Sequence, residues 1–496
     1  EKYSEIGEYK MALNLASPGI QVREVDLTIG RVDATSGSIG AIVAPFTKGP
    51  VEEPQLIESE EDLLQTFGQP YSVDNHYEYW LTASSFLAYG GTMQVIRAND
   101  AGLKNATEDG APELLIKSQT HYNQLGYDDN TITGTVIAAK TPGSYANGIR
   151  VSIIDGKADQ ILTTTGISTV GMGITQSVAN RVVAGAAGTS LLDGYLKGIV
   201  TGIPETGKAE VKVLSHVSAA GTITNVDYQA NGVYCFKANE IITPIAAGAN
   251  VGTGSTVIPT LQVDWFEQQE IVLTTKDGNG NPIKLEWDAV ADAPGTSAYA
   301  RARGGRFDEL HVVVIDDKGT ITGNAGTVLE KHLNLSKATD AEYSVGSTAY
   351  WRKYLANVSQ YIYGGSAPSG ITTTGFDGAT ATAIGTLDSD NSWDQPADSA
   401  DKGFGVSGVF TSSLTGGKNY GGKTDYTTTG ALDPGIDDIL GGLELFSNKE
   451  EVEVDFIMMG AAHHTKELSQ AVAEKCIAVA EARKDAVAFI SPFRQA

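Results

Sequence analysis

The sequence predicts a multidomain α+β protein, in which an α/β core domain is interrupted by β-rich inserted domains and preceded by an extended N-terminal strand arm. Three observations lead there. The chain has 496 residues, more than one hydrophobic core accommodates, since single cores stop growing at roughly 250 to 300 residues. Alternating strand and helix patterns are confined to its two ends, and the stretch between them is rich in Thr, Val, Gly and Asn. A strand pattern near the beginning has no hairpin partner beside it in sequence. The expected domains are an arm at 1–30, a core at 31–98 with 405–496, a β-rich middle domain at 99–158 with 295–404, and an outer β-rich insertion at 159–294.

Within the arm, Ile20-Gln21-Val22-Arg23-Glu24-Val25-Asp26-Leu27 alternates apolar and polar residues, with a one-residue shift that suggests a bulge. Backbone N–H and C=O groups of a strand must be paired. Ile20, Val22, Val25 and Leu27 therefore mark either an edge strand of the chain's own sheet or a strand donated to the edge of another molecule. Glu1–Lys10 are mostly polar, and Met11 reads as a natural start.

The core follows. Ser38–Ala44 reads as a buried strand, Glu58–Gln65 as a short helix, Asp74–Tyr89 as a longer one and Thr92–Ala98 as a second strand. Near the far end a helix is predicted from Pro434, with Asp433 as its cap. A strand over Val452–Met459, a helix over Thr465–Arg483 and a strand over Ala486–Ile490 then form a βαβ unit, which implies parallel neighbours. Between these blocks, Ile149–Ile154 and Leu310–Ile315 are strand patterns, and Asp277-Gly278-Asn279-Gly280-Asn281-Pro282 is a hairpin turn. A Gly-, Ser- and Thr-rich stretch near 366–430 leads back into the core as a long surface loop.

Composition narrows the function. Against 35 Lys and Arg stand 60 Asp and Glu, a formal charge of -25. An acidic surface repels polyanions, so nucleic acid is not an expected partner; the charge serves solubility and keeps copies apart until something specific overrides it. The two cysteines, Cys235 and Cys476, are too few and too far apart for a disulfide framework or a CxxC metal knuckle. No window of about 18 uninterrupted apolar residues occurs, so no membrane insertion is expected.

Several segments together resemble one family. Met11–Leu27 (MALNLASPGIQVREVDL), Gly40–Ala44 running to Lys48-Gly49-Pro50, and Thr66-Phe67-Gly68-Gln69-Pro70 before a Tyr-rich helix are similar to the opening of contractile bacteriophage tail sheath proteins. Pro142–Gly148 running into Ile149–Ile154 resembles that family's passage into its middle domain, and Glu451–Phe456 through Ala480–Asp485 to Ser491-Pro492 resembles its closing βαβ segment. The resemblance covers about 11–155 and 300–496 and is weak or absent across about 156–295. It implies a structural subunit without catalytic residues, cofactor or metal. Such subunits stack as hexameric rings around a tail tube protein between baseplate and tail terminator proteins, and contract to drive the tube through a host envelope. Their terminal arms add strands to neighbouring subunits, a role that here falls on Ile20, Val22, Val25 and Leu27. The implied location is the virion, after assembly in the host cytoplasm. A sheath of a phage-derived secretion or bacteriocin device is the neighbouring alternative. The family usually continues well past Ser491-Pro492, whereas this chain stops at Ala496 and reads as a shortened one.

Three motifs suggest other chemistry. Gly417–Thr424 satisfies the phosphate-loop spacing GxxxxGK[ST] and is the basis for a rival nucleotide-binding enzyme. A helix should follow it at once, yet the Thr-rich Asp425–Gly430 does, so an ordinary loop is expected. His463, His464 and Glu467 lack the HExxH spacing of a zinc helix and read as a helix-start polar cluster. In Asp277–Pro282, Pro282 stands where a calcium loop needs Gly and Asp288 where it needs Glu.

Because the strand at 20–27 lacks a local partner, deletion of residues 11–27 is expected to abolish polymerisation and to leave the thermal unfolding of the monomer nearly unchanged. Calorimetry that found a large loss of monomer stability would place that strand in its own sheet instead.

Overall fold

The computed structural model describes residues 38–179, 181–182, 192–245, 256–370, 393–397 and 403–493. The segment carrying Ile20, Val22, Val25 and Leu27 lies outside them. Helices and strands are mixed, and the strands form several sheets.

The first sheet has five strands in the order Gln55–Ile57, Thr92–Arg97, Ile39–Ala44, Phe456–Met458 and Val487–Phe489. All pairs are parallel except that of Gln55–Ile57 with Thr92–Arg97. A strand in the middle of a parallel sheet is buried on both faces and carries apolar residues at successive positions, and Ile39–Ala44 (IGAIVA) does so. Ala41 and Val43 face one core with Ile439, Leu443, Val472 and Val479 of the helices Ile436–Glu444 and Lys466–Arg483. Ile42 and Ala44 face another with Leu63, Phe67, Trp80 and Leu87 of the helices Glu60–Phe67 and His76–Ala88.

The expected helices and strands of this sheet are present with shifted ends. The first helix starts at Glu60 because the Ser59 hydroxyl accepts the Asp62 N–H at 3.1 Å. The expected cap Asp433 caps nothing: its helix begins at Ile436 behind Gly435, without a side-chain cap, and Asp433 pairs with His464 at 2.9 Å. The strand expected over Val452–Met459 shortens to Phe456–Met458, since the Val452 and Val454 carbonyls are turned to the Arg483 guanidinium.

After Arg97 the chain builds a second sheet of seven strands, in the order Thr327–Ser336, Glu309–Asp316, Ile149–Asp155, Val409–Thr415, Thr107–Glu108, Ile137–Ala139 and Ile362–Gly364. Val409–Thr415 belongs here, bonded to Ile149–Asp155, although its position after 405 had grouped it with the first sheet. The hairpin Glu270–Lys276/Pro282–Glu286 turns where the sequence places the turn, with Asp277 N–H donating to Asn281 O at 2.8 Å. Its Ile271 and Leu273, with Trp265 and Trp287, cover Ile154, Val313 and Ile315 of the second sheet, so it packs outside the outer insertion to which its position had assigned it.

A third sheet runs in the order Ile242–Ile245, Gly173–Ser177, Tyr195–Gly202, Lys208–Val217, Gln160–Thr163 and Leu261–Asp264. Val257, just ahead of the last strand, exchanges both backbone hydrogen bonds with Ile242 of the first, at 2.8 and 2.9 Å. The sheet therefore curls toward closure around Leu162, Leu196, Val211 and Phe236.

Polar side chains tie the connections of the second sheet to one another. Asn105 Nδ2 donates to Ala139 O at 2.9 Å and Ile116 O at 3.1 Å, while its Oδ1 accepts from Ile116 N–H. Asn147 and Asn419 tie Gly417 and Ser144 across the passage between first and second sheets. At the far end of the second sheet Lys337 and Asp155 form a fully buried ion pair at 2.8 Å. The Lys337 ammonium also donates to Phe307 O and Gly405 O, and Asp155 accepts from Ser407 and Gly408 N–H. Removing one partner of such a pair strands a buried charge. Lys337→Met is expected to cost about 3–5 kcal/mol, read as a fall in the urea unfolding midpoint of the second sheet.

Candidate assembly edge

The last helix and strand place the candidate site. Thr465 caps the helix Lys466–Arg483 by accepting the Leu468 N–H at 3.2 Å. Its buried stripe, Ser469, Val472, Cys476, Val479 and Arg483, recurs at three- and four-residue steps, which sets one helix face on the sheet. Burial pushes the Cys476 thiol up to about 11, so it sits there as a packing residue and not as a thiolate. The helix ends at Lys484, in the left-handed region at φ 64°. Arg483, buried, then fixes the return of the chain. It donates to Phe446 O at 2.7 Å and Val452 O at 3.0 Å, and its Nε meets Asp485 Oδ1 at 3.0 Å.

The strand Val487–Phe489 is thereby laid parallel to Phe456–Met458, pairing Val487 with Phe456 and Phe489 with Met458. Val487 N–H donates to Asp455 O at 2.9 Å, and Phe489 O accepts Met459 N–H at 3.1 Å. In a parallel strand the N–H and C=O of one residue point to the same side, and successive residues alternate. The backbone groups of Ala488 consequently point away from the sheet, along an edge with no partner strand among the described residues.

The face beside this edge is also open. The helix His76–Ala88 covers the sheet only as far as Phe86, which stands over Gly40 and Gly91: a Cβ on Gly40 would lie 2.9 Å from the Phe86 ring and 2.7 Å from Met458 Cε. Beyond Phe86 lies an apolar groove of 380 Å³ lined by Phe456, Met458, Phe489 and Ile490. Phe456 links its walls, with ring centroids 6.2 Å from Phe86 and 5.6 Å from Phe489. Val487 is 57% and Phe489 56% exposed. Parallel strands are ordinarily covered on both faces, so edge and groove together form an incomplete sheet margin.

The sequence motifs with other chemistry fall elsewhere. Gly417–Thr424 bends through a 3₁₀ turn at Tyr420–Gly422, with no helix after it. Its side chains are engaged in the passage between sheets: Tyr420 OH donates to Ala98 O at 2.9 Å and Lys418 pairs with Glu113 at 2.5 Å. Burial holds the His463 imidazole below its ordinary range, His464 points to Asp433, and among the described residues no group of three or more His, Cys, Asp or Glu could hold a metal ion. In the hairpin turn, Asp277 Oδ1 accepts the Asn279 and Asn281 N–H groups. Among the described residues no helix is long and apolar enough to cross a membrane. The edge itself was not singled out in the sequence, although the alternation of Val487 and Phe489 with Ala486 and Ala488 was its signal.

No family model matches the chain. Over 487 residues, 97% of this chain and 63% of the relative, it is 22% identical to the tail sheath protein of Vibrio phage KVP40. It is 30% identical over 142 residues to the tail sheath protein of Enterobacteria phage T4, covering 28% of this chain and 18% of that one. Over 364 residues it is 23% identical to the tail sheath protein of Salmonella phage ViI, covering 70% and 48%. The chain thus spans less than two thirds of the length of these curated relatives.

The backbone directions make two adjacent substitutions unequal. Val487→Pro removes the N–H bonded to Asp455 O and is expected to cost about 1–3 kcal/mol. Ala488→Pro removes only an outward N–H, the position where an edge strand tolerates proline, and is expected to shift the monomer by less than about 1 kcal/mol. Urea unfolding of the two variants side by side checks the order.

Proposed function

We propose that this chain, which belongs to the phage tail sheath family, is a structural subunit that polymerises with copies of itself around a tail tube and contracts to drive the tube through a host envelope. Its place is the virion, and its work is mechanical, not catalytic. The first sheet serves as the α/β core, and the second and third sheets, with the hairpin 270–286, as β-rich units inserted into it. The relatives named as tail sheath proteins come from phages, which favours a phage tail over a related secretion device.

The observation that carries this reading is the incomplete margin at Val487–Phe489. Outward backbone groups at Ala488 and an adjoining apolar groove are what strand addition requires: main-chain bonds supply affinity, and a row of side-chain contacts supplies register. The strand at 20–27 of another copy is the donor, with Ile20, Val22, Val25 and Leu27 as its apolar contacts. Subunits joined in this way move largely as rigid bodies during contraction while the exchanged strands keep them connected. Tail tube, baseplate and terminator proteins are the further partners.

Negative-stain microscopy tests the reading. The wild-type protein is expected to form hollow striated tubes at high concentration, and Ala488→Pro to remain as single particles with an unchanged unfolding midpoint. Wild-type protein that stays solitary would sink the sheath reading; Ala488→Pro tubes like those of the wild type would remove the edge from it.

A further inference from the structure

A second surface is built for contact. Between the first and second sheets two adjoining recesses, of 790 and 520 Å³, share Lys48, Gln65, Tyr145, Gln360 and Tyr361 as walls. Most polar groups there are already engaged. Lys140 donates to Ala356 O at 2.8 Å and Ser359 O at 2.6 Å, Tyr145 OH bonds Thr141 Oγ1 at 2.8 Å, and Tyr426 OH donates to Thr47 O at 3.2 Å. Asp425, at the rim, accepts from Thr427 N–H and Oγ1.

Lys48 is different. Half-buried at the junction of the two recesses, it has no hydrogen-bond acceptor or ion-pair partner for its ammonium among the described residues. Burial lowers its proton affinity, and neither Glu53 nor Asp425, which line the recesses, forms an ion pair with it among the described residues. A desolvated ammonium without a counter-charge is costly unless something brings one.

The geometry points to an acidic side chain of a second copy of this chain as the occupant, its carboxylate pairing with Lys48 Nζ while its backbone lies along the Gln65 and Gln360 amides and the Tyr361 ring. This inference rests on the assembly reading above. A copy is the fitting source because each chain carries 60 acidic against 35 basic residues, so copies repel except where a specific cation meets a carboxylate. Such a contact sets register and suppresses wrong pairings. The two recesses have mixed polar and apolar walls, as suits a polypeptide segment, and share no lining residue with the apolar margin at Phe489.

The test is a zero-length carbodiimide cross-link on polymers grown from an equal mixture of light- and heavy-nitrogen protein. Mixed-isotope peptides joining Lys48 to an Asp or Glu are expected in the polymer. Lys48→Gln is expected to raise the concentration needed for polymerisation by about tenfold, the scale of a charge-assisted hydrogen bond, and Lys48→Arg to restore most of it. Polymers that yield no mixed-isotope link at Lys48, or that form equally well from Lys48→Gln, overturn the inference and leave the sheath reading intact. Wild-type protein that forms no polymer overturns both.

Discussion

A parallel strand cannot be left half finished without consequence, because it has two faces to cover and two edges to pair. In the first sheet Ile39–Ala44 meets all four demands: strands on both sides, one pair of helices above and another below. Among the described residues Val487–Phe489 meets two, with Phe456–Met458 along one edge and the helix Lys466–Arg483 beneath it. The remaining edge and face are the outward Ala488 backbone and the groove between Phe86 and Phe489. Arg483 holds that margin in place, its guanidinium gathering carbonyls from Phe446 and Val452.

The rest of the architecture suits a body that moves without deforming. The second sheet is tied to the first by Arg97, at the end of a first-sheet strand, which donates to Gly49 O and Pro142 O, and by the Tyr420 hydroxyl, which donates to Ala98 O, and such bonds hold only in one geometry. At the other end of that sheet, Lys337 and Asp155 gather the backbone of Phe307, Gly405, Ser407 and Gly408 around one buried ion pair. Buried ionic contacts contribute little net stability compared with apolar packing, but they penalise any arrangement that separates them.

Elements whose signal is local were legible in the sequence. The central strand IGAIVA, the long closing helix from about Thr465 to Arg483, the parallel βαβ unit and the turn at Asp277–Pro282 all depend on neighbours a few residues away, and all are present. Where the reading missed, a distant group had intervened. Arg483 draws Val452 and Val454 out of the strand expected there, His464 takes up Asp433, and Val409–Thr415 is claimed by Ile149–Asp155.

The amino-acid order by itself determined the main strands and helices of the first sheet, how their apolar residues alternate, that Gly417–Thr424 lacks a following helix, and the likeness to tail sheath proteins, because these are matters of spacing along one chain. Only the tertiary structure decided which strand lies at the margin, that Ala488 turns its backbone outward while Phe489 stays exposed, and that Lys48 has no partner between two sheets among the described residues. Those properties depend on what is missing from a residue's surroundings, and surroundings are assembled from parts of the chain hundreds of positions apart.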